Sequence, residues 1–348
     1  MKIQQGLSYD DVLLIPQRSD INSRSQVSLK TKLCEGVELD MPIISINMDS
    51  VTGVEMAISM SSLGGMSFMP RFDSAEDEAK MIAAIVKKKE RVIAALGLRD
   101  DYLDRAEKCL KAGAVGLTID VAHGHMSQVI NATSILKNKF GVPVFSGVVA
   151  TKVGARDLFK AGADGVRVGV GPGTICLTRV VTGCGVPQLT AIMEASGAAK
   201  EFKNKIVIAD GGIKNSGDIV KALAAGASCV VLGSLLAGTD ESPGEKIFIN
   251  GKVYKQYNAS TSKFEKESQI KRNGNKKKHF KLHIEGVESL VPYRGPVEMV
   301  IKDLCAGIRS GFSYCGAKNI SQLWKRAEFV QITSAGMRES GTHDVLVR

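Results

Sequence analysis

The 348-residue sequence predicts a (β/α)8 barrel, an α/β fold, and three observations carry the prediction. Eight short apolar runs alternate with amphipathic stretches almost from end to end, the pattern of repeated βα units. Near-copies of one turn, Lys111-Ala-Gly-Ala, Lys160-Ala-Gly-Ala-Asp and Leu223-Ala-Ala-Gly-Ala, close a helix on a glycine just before a strand. Polar residues and glycines gather directly after nearly every apolar run, where barrels carry their active sites. A doubly wound open sheet is the competing arrangement, and the repeated turn favours the barrel.

The elements follow in order. Pro42–Ile46 is the first strand-like run, and Val54–Leu63 its helix. Gly65–Met69 leads to Ala75–Lys88, whose apolar residues recur at helical spacing with the charges on the other face. Val92–Leu96 precedes Tyr102–Ala112, Val115–Asp120 precedes Met126–Lys139, and Pro143–Gly147 precedes Lys152–Ala161. Val166–Val168 runs into a glycine-rich loop and then Leu189–Phe202. Ile206–Asp210 precedes Gly217–Ala225. Cys229–Gly233 is the eighth run, but its helix, Val297–Ser310, arrives only after a gap spanning about 237–296. That gap is far too long for a plain barrel loop. Lys246–Lys255 inside it reads as a hairpin turning at Asn250-Gly, and 258–283 reads as mobile. The expected organisation is one barrel domain over 1–348 with a flap at 237–296.

Composition narrows the function. The chain is 44% apolar and 24% charged, ordinary for a globular protein. No apolar run approaches the ~18 residues of a membrane span, and Met1-Lys-Ile-Gln-Gln lacks a signal-peptide core. Seven scattered cysteines with no Cys-x-x-Cys argue against disulfides and structural zinc and fit a reducing cytoplasm. Much of the net charge of +10 is local, with five basic residues within Lys271–Lys278. No aromatic residues interleave there as a stacking platform would require, so nucleic acid is not the expected partner. A basic enzyme for anionic nucleotides accounts for the charge.

The chemistry collects after the strands. Asn47, Met48 and Asp49 follow the first run, Arg71 the second, and Asp120 ends the fourth, with His123 and His125 beyond it. Cys176 lies in Gly169-Val-Gly-Pro-Gly-Thr-Ile-Cys-Leu-Thr178, placing a thiol on a close-approach loop with the hydroxyls of Thr174 and Thr178 nearby. Asp210-Gly211-Gly212 and Gly233-Ser234 end the last two strands, a common phosphate site in this fold. Asp210 cannot bind phosphate itself but suits two ribose hydroxyls. These residues suggest a nucleoside monophosphate with the Cys176 thiol near its base. His123 and His125 have no third ligand in view and read as structural rather than metal-binding.

Those residues fall in longer stretches: Tyr9-Asp-Asp-Val-Leu-Leu-Ile-Pro, Asn47-Met-Asp-Ser-Val, Ile119-Asp-Val-Ala-His-Gly-His, Gly162 through Cys176, Ala209-Asp-Gly-Gly-Ile, Gly238-Thr-Asp-Glu-Ser-Pro-Gly-Glu and Val291-Pro-Tyr-Arg-Gly. Over nearly its whole length the chain resembles the inosine-5′-phosphate dehydrogenase and guanosine-5′-phosphate reductase superfamily. The resemblance implies a tetrameric (β/α)8 barrel, here without the regulatory CBS domains that most dehydrogenases insert after the second strand. It implies that the Cys176 thiolate attacks purine C2, that Thr178 and Glu285 protonate a leaving amine, and that Tyr257 begins the flap's purine contact. Arg71 and Asp120 are assigned to the cofactor, NADPH for a reductase or NAD for a dehydrogenase. Potassium is implied on the loop of Gly171, Gly173 and Cys176, with Glu339 and Ser340 of a neighbouring subunit sharing it.

The two branches differ in chemistry. Dehydrogenases hydrolyse their intermediate with a flap Arg-Tyr pair, and no Arg-Tyr occurs in 237–296, where Lys277-Lys-His-Phe280 takes the comparable place. Reductases need no such base, only an acid for ammonia. The reductase is therefore the expectation. Gly185-Val-Pro-Gln-Leu-Thr and the tail Arg338–Asp344 are dehydrogenase-like. Val148 stands where relatives carry asparagine, and Tyr257-Asn-Ala-Ser-Thr lacks the glycines usual there. A nucleotide-binding relative without turnover is the reading from another class.

Overall fold

All eight apolar runs form strands, and the strands close on themselves as a parallel cylinder in the computed structural model, which describes residues 3–98, 101–272, 284–342 and 345. The strands are β1 (Ile43–Ser45), β2 (Met66–Met69), β3 (Ile93–Leu96), β4 (Leu117–Ile119), β5 (Val144–Val149), β6 (Gly165–Val168), β7 (Ile206–Asp210) and β8 (Cys229–Leu232). Val230 to Leu232 of β8 pair with Ile43 to Ser45 of β1, which shuts the barrel. The outer helices are α1 (Val54–Ser62), α2 (Ala75–Lys87), α3 (Tyr102–Lys111), α4 (Ser127–Phe140), α5 (Lys152–Lys160), α6 (Gln188–Ala199), α7 (Ser216–Ala224) and α8 (Val297–Tyr314). The repeated turn performs one job three times. Gly113, Gly162 and Gly226 adopt φ of 104°, 104° and 110°, a region open to glycine.

Side chains of a strand alternate between faces, and here the alternation builds both the core and the site. Ile44, Met66, Phe68, Ile93, Phe145, Ile206, Ile208, Cys229 and Val231 form the apolar barrel interior. Their neighbours Ile43, Met69, Ala94, Val144, Val207 and Val230 join the shell packed under the helices. Two further residues along, the inward rows of β4 and β7 reach Asp120 and Asp210. The inward row of β6 carries Arg167, which stacks 5.0 Å over the Phe68 ring. A hairpin of Thr31–Cys34 and Val37–Leu39 contributes Leu33, Cys34 and Leu39 to the interior cluster, so it plugs the opposite end.

The flap is more ordered than its composition suggests. β9 (Lys246–Ile249) and β10 (Lys252–Asn258) form the expected hairpin, and β11 (Glu288–Pro292) adds a third antiparallel strand to β10. Lys263–Arg272, expected to be mobile, is a helix. It starts against the sheet, with Phe264 N donating to Glu288 Oε1 at 2.9 Å and Asn258 Nδ2 to Glu265 Oε1 at 3.3 Å. Residues 273–283 of that expectation, and most of the basic run, lie outside the described residues. At the base of the flap, buried Lys255 donates to the carbonyls of Thr239 at 2.8 Å and Ser242 at 2.6 Å. Ser50, after β1, bonds the backbone of Asn258 in both directions at 3.2 and 3.3 Å. The chain ends also meet, where Val12–Leu14 pairs antiparallel with Phe329–Gln331.

Candidate active site

A cavity of about 750 Å³ opens at the C-terminal ends of the strands, beneath the flap. Arg71, Asp120, Gly171, Gly173, Cys176, Thr178, Asp210, Gly211, Gly212, Gly233, Ser234, Tyr257 and Glu285 all line it. Residues spread over more than 200 positions of sequence thus meet in one place. Glu339 and Ser340 do not line it; they end an exposed helix at Ser334–Glu339. Of the dehydrogenase-like tail, His343 and Asp344 lie outside the described residues, as does the Lys277–Phe280 stretch.

At the centre, half-buried Cys176 directs its thiol to Thr178 Oγ1 at 3.2 Å. Thr178 in turn donates to Glu285 Oε2 at 2.7 Å. Thiol, hydroxyl and carboxyl therefore form a continuous proton-carrying chain, with Glu285 delivered by the flap. Arg179, one residue further on, reaches back to hold the loop from both sides. Its Nε donates to Val170 O at 3.0 Å and its Nη2 to Val186 O at 2.6 Å.

A second chain, of charges, crosses the top of the barrel. Arg71 Nε donates to Asp120 Oδ2 at 2.9 Å. Arg167 Nη1 lies 3.7 Å from Asp120 Oδ1, and its Nε and Nη2 meet Asp210 Oδ2 at 2.8 and 2.7 Å. Burial alone would raise the Asp120 pKa, but Arg71 and Arg167 together hold it below the usual carboxylate value. Asn47 adds its amide to Asp120. That leaves Asn47 Oδ1 buried without a partner among the described residues, on a residue that lines the cavity. Gln188 donates to the carbonyls of Val168 at 2.7 Å and Asp210 at 3.1 Å, pinning the ends of β6 and β7.

Tyr257, at the end of β10, lines the same cavity. Its hydroxyl stands beside Gly233, on the side of the glycine-rich strand ends. Burial, with Asp210 and Cys176 nearby, pushes its pKa far up, so the phenol stays a donor at neutral pH. His125 Nε2 lies 2.9 Å from Asp157 Oδ2 and ties the loop after β4 to α5. Arg167, Arg179, Gln188 and the free acceptor of Asn47 were not singled out by residue pattern. The one legible signal was an arginine inside the apolar strand Gly165-Val-Arg-Val168.

A barrel with a thiol, a proton chain and converging charges at its strand ends is built as an enzyme of nucleotide chemistry. The chain belongs to the IMP dehydrogenase / GMP reductase family, whose domain it matches over residues 6–343. It is 38% identical to inosine-5′-monophosphate dehydrogenase of Cryptosporidium parvum, over 99% of this chain and 96% of that one. It is 31% identical to GMP reductase of Leishmania major, over 99% and 98%. A solved structure of Trypanosoma brucei GMP reductase, a cysteine-to-alanine variant in complex with guanosine 5′-monophosphate, superposes with a TM-score of 0.94 at 30% identity, covering 99% of both chains. The protein is a purine-nucleotide oxidoreductase of this family, and its relatives carry the names of both reactions.

Proposed function

We propose that the protein is a GMP reductase, converting GMP, NADPH and two protons to IMP, NADP+ and ammonium. The observation that supports this most is the Cys176–Thr178–Glu285 chain, 3.2 and 2.7 Å link to link, in a flap with no Arg-Tyr pair. Cys176 adds as thiolate to C2 of the guanine. Thr178, backed by Glu285, protonates the exocyclic amine, and the C2–N bond breaks with loss of ammonia, leaving the purine held through a C2–S bond. NADPH supplies the hydride to C2. The C–S bond then breaks, and the electron pair returns to sulfur.

The remaining residues place the reactants. The amides of Gly211, Gly212, Gly233 and Ser234 receive the phosphate, and Tyr257 donates to it from the flap. Arg167 occupies Oδ2 of Asp210, so Oδ1 takes the ribose hydroxyls. Beyond Cys176 the cavity continues to Arg71, Phe72, Gly97 and Asp101 and to the flap helix. That length, with the unpartnered Asn47 Oδ1, fits a nicotinamide dinucleotide held at Arg71 and Asp120. All seven cysteines are free, which suits a cytoplasmic setting. No helix among the described residues is long and apolar enough to cross a membrane. A homotetramer, with potassium on the Gly171–Cys176 loop and Glu339 and Ser340 donated by a neighbour, completes the proposal.

Dehydrogenation of IMP with NAD is the second reading, favoured by the names of several relatives. Turnover separates the two. Reduced cofactor should be consumed with GMP and should not appear with IMP and NAD. The reverse result assigns the dehydrogenase, and silence with both pairs leaves a nucleotide-binding protein.

A further inference from the structure

The flap sheet does not end at β11. Just before that strand, Gly286 forms an antiparallel bridge with Cys176 itself. Leu177 N donates to Glu285 O at 2.7 Å, and Val287 N donates to Ile175 O at 3.2 Å. On its other side the segment is held by β10, through Ala259 N to Val287 O at 3.1 Å. The nucleophile loop is therefore an edge of the flap sheet. The position facing Cys176 has no room for a side chain. A Cβ on Gly286 would overlap Ala259 Cβ and lie 2.9 Å from Thr261 Oγ1. Its φ is not left-handed, so the demand is for space and not for backbone conformation.

We propose that Gly286 is a positioning residue, through which one docking event of the flap both orders the Cys176 loop and delivers Glu285 to Thr178. The proposal rests on Cys176 being the nucleophile, but the bridge can be tested without turnover. Because the two bonds of the bridge flank one residue pair, they form and break together. A closed flap gives thiol and acid at once, and an open flap gives neither. The Cys176 thiol is then not positioned to add to an electrophile while its acid is absent.

The test compares Gly286→Ala, the double variant Gly286→Ala/Ala259→Gly, and Glu285→Gln. Hydrogen exchange is read at the Leu177 and Val287 amides, with barrel-strand amides in the same spectra reporting the fold. Gly286→Ala should speed exchange at both amides by roughly tenfold or more. It should lower kcat by about a hundredfold, the scale of a small misplacement of reacting groups, with GMP affinity little changed. Removing the Ala259 methyl in the double variant should restore both protection and kcat. Glu285→Gln should lose kcat yet keep Leu177 protected. Unchanged Leu177 exchange in Gly286→Ala, or wild-type kcat there, overturns the proposal. Should Gly286→Ala not fold, the wild-type protein decides: Leu177 and Val287 must share one opening free energy, and protection factors differing by more than about tenfold refute the common bridge. If the wild-type protein turns over neither substrate pair, the proposed function fails, and the exchange data still stand for the bridge.

Discussion

Arg167 is the side chain on which the upper barrel depends. It is buried between Asp120 and Asp210 and is the strongest partner of the latter. Removing one member of a buried pair leaves an uncompensated charge, so Arg167→Met should cost about 3–5 kcal/mol in urea unfolding. Arg71→Met should cost less than that, because Arg71 and Asp120 are each about one-fifth exposed; equal losses would contradict the ranking. Asp210→Ala should weaken GMP binding by roughly 1.5–3 kcal/mol, the worth of charge-assisted bonds to the ribose. Calorimetric titration showing unchanged affinity for GMP and IMP would move the ribose elsewhere. Asp210 was legible in sequence because it ends an apolar strand beside two glycines. Arg167 was visible only as a charge in an apolar run, and its partners lie 43 and 47 positions away in the chain. Arg179 and Gln188 gave no signal, because their work is to hold backbone carbonyls that only the fold brings near.

At the scale of elements, the seam between α2 and α3 holds a buried pair outside the site. Glu78 of α2 is fully buried and meets Arg105 of α3 at 2.5 Å. Burial lifts the Glu78 pKa to about 7, although Arg105 pulls the other way. The folded protein therefore binds this proton more tightly than the unfolded chain does. The stability that Glu78 contributes is present below its unfolded pKa and is lost as pH rises toward 7. Relative to Glu78→Gln, the wild-type protein should lose on the order of 2 kcal/mol between about pH 5 and about pH 8. Parallel unfolding curves for the two proteins across that range would contradict it. The barrel elements were legible because each βα unit repeats a short apolar run and an amphipathic helix. The flap was not, since β11 pairs with a strand 30 to 38 positions away and its helix is mostly polar. The N- and C-terminal strands are three residues each and draw their stability from the opposite chain end.

For the whole molecule, one protomer gathers only part of the proposed potassium site. In that proposal the Cys176 loop would supply carbonyl oxygens, and Glu339 and Ser340, at the end of an exposed helix, would come from a neighbour. Activity should rise with potassium at constant ionic strength. Deleting residues 336–348 should abolish that response and weaken the tetramer in analytical ultracentrifugation. A truncated protein with the same potassium titration as the full chain would exclude the shared site. Residue spacing alone could not locate the proposed contact, which would join two copies of the chain.

The central claim is that Cys176 attacks the purine and that ammonia leaves before hydride arrives. It is tested most directly by mixing the protein with GMP and oxidised cofactor, which cannot supply hydride, quenching in acid, and weighing the Cys176 peptide. The predicted result is a peptide heavier by GMP less ammonia, absent in Cys176→Ala and strongly reduced in Glu285→Gln. An unmodified Cys176 peptide from a protein that reduces GMP with NADPH, or an adduct on another residue, would contradict the account.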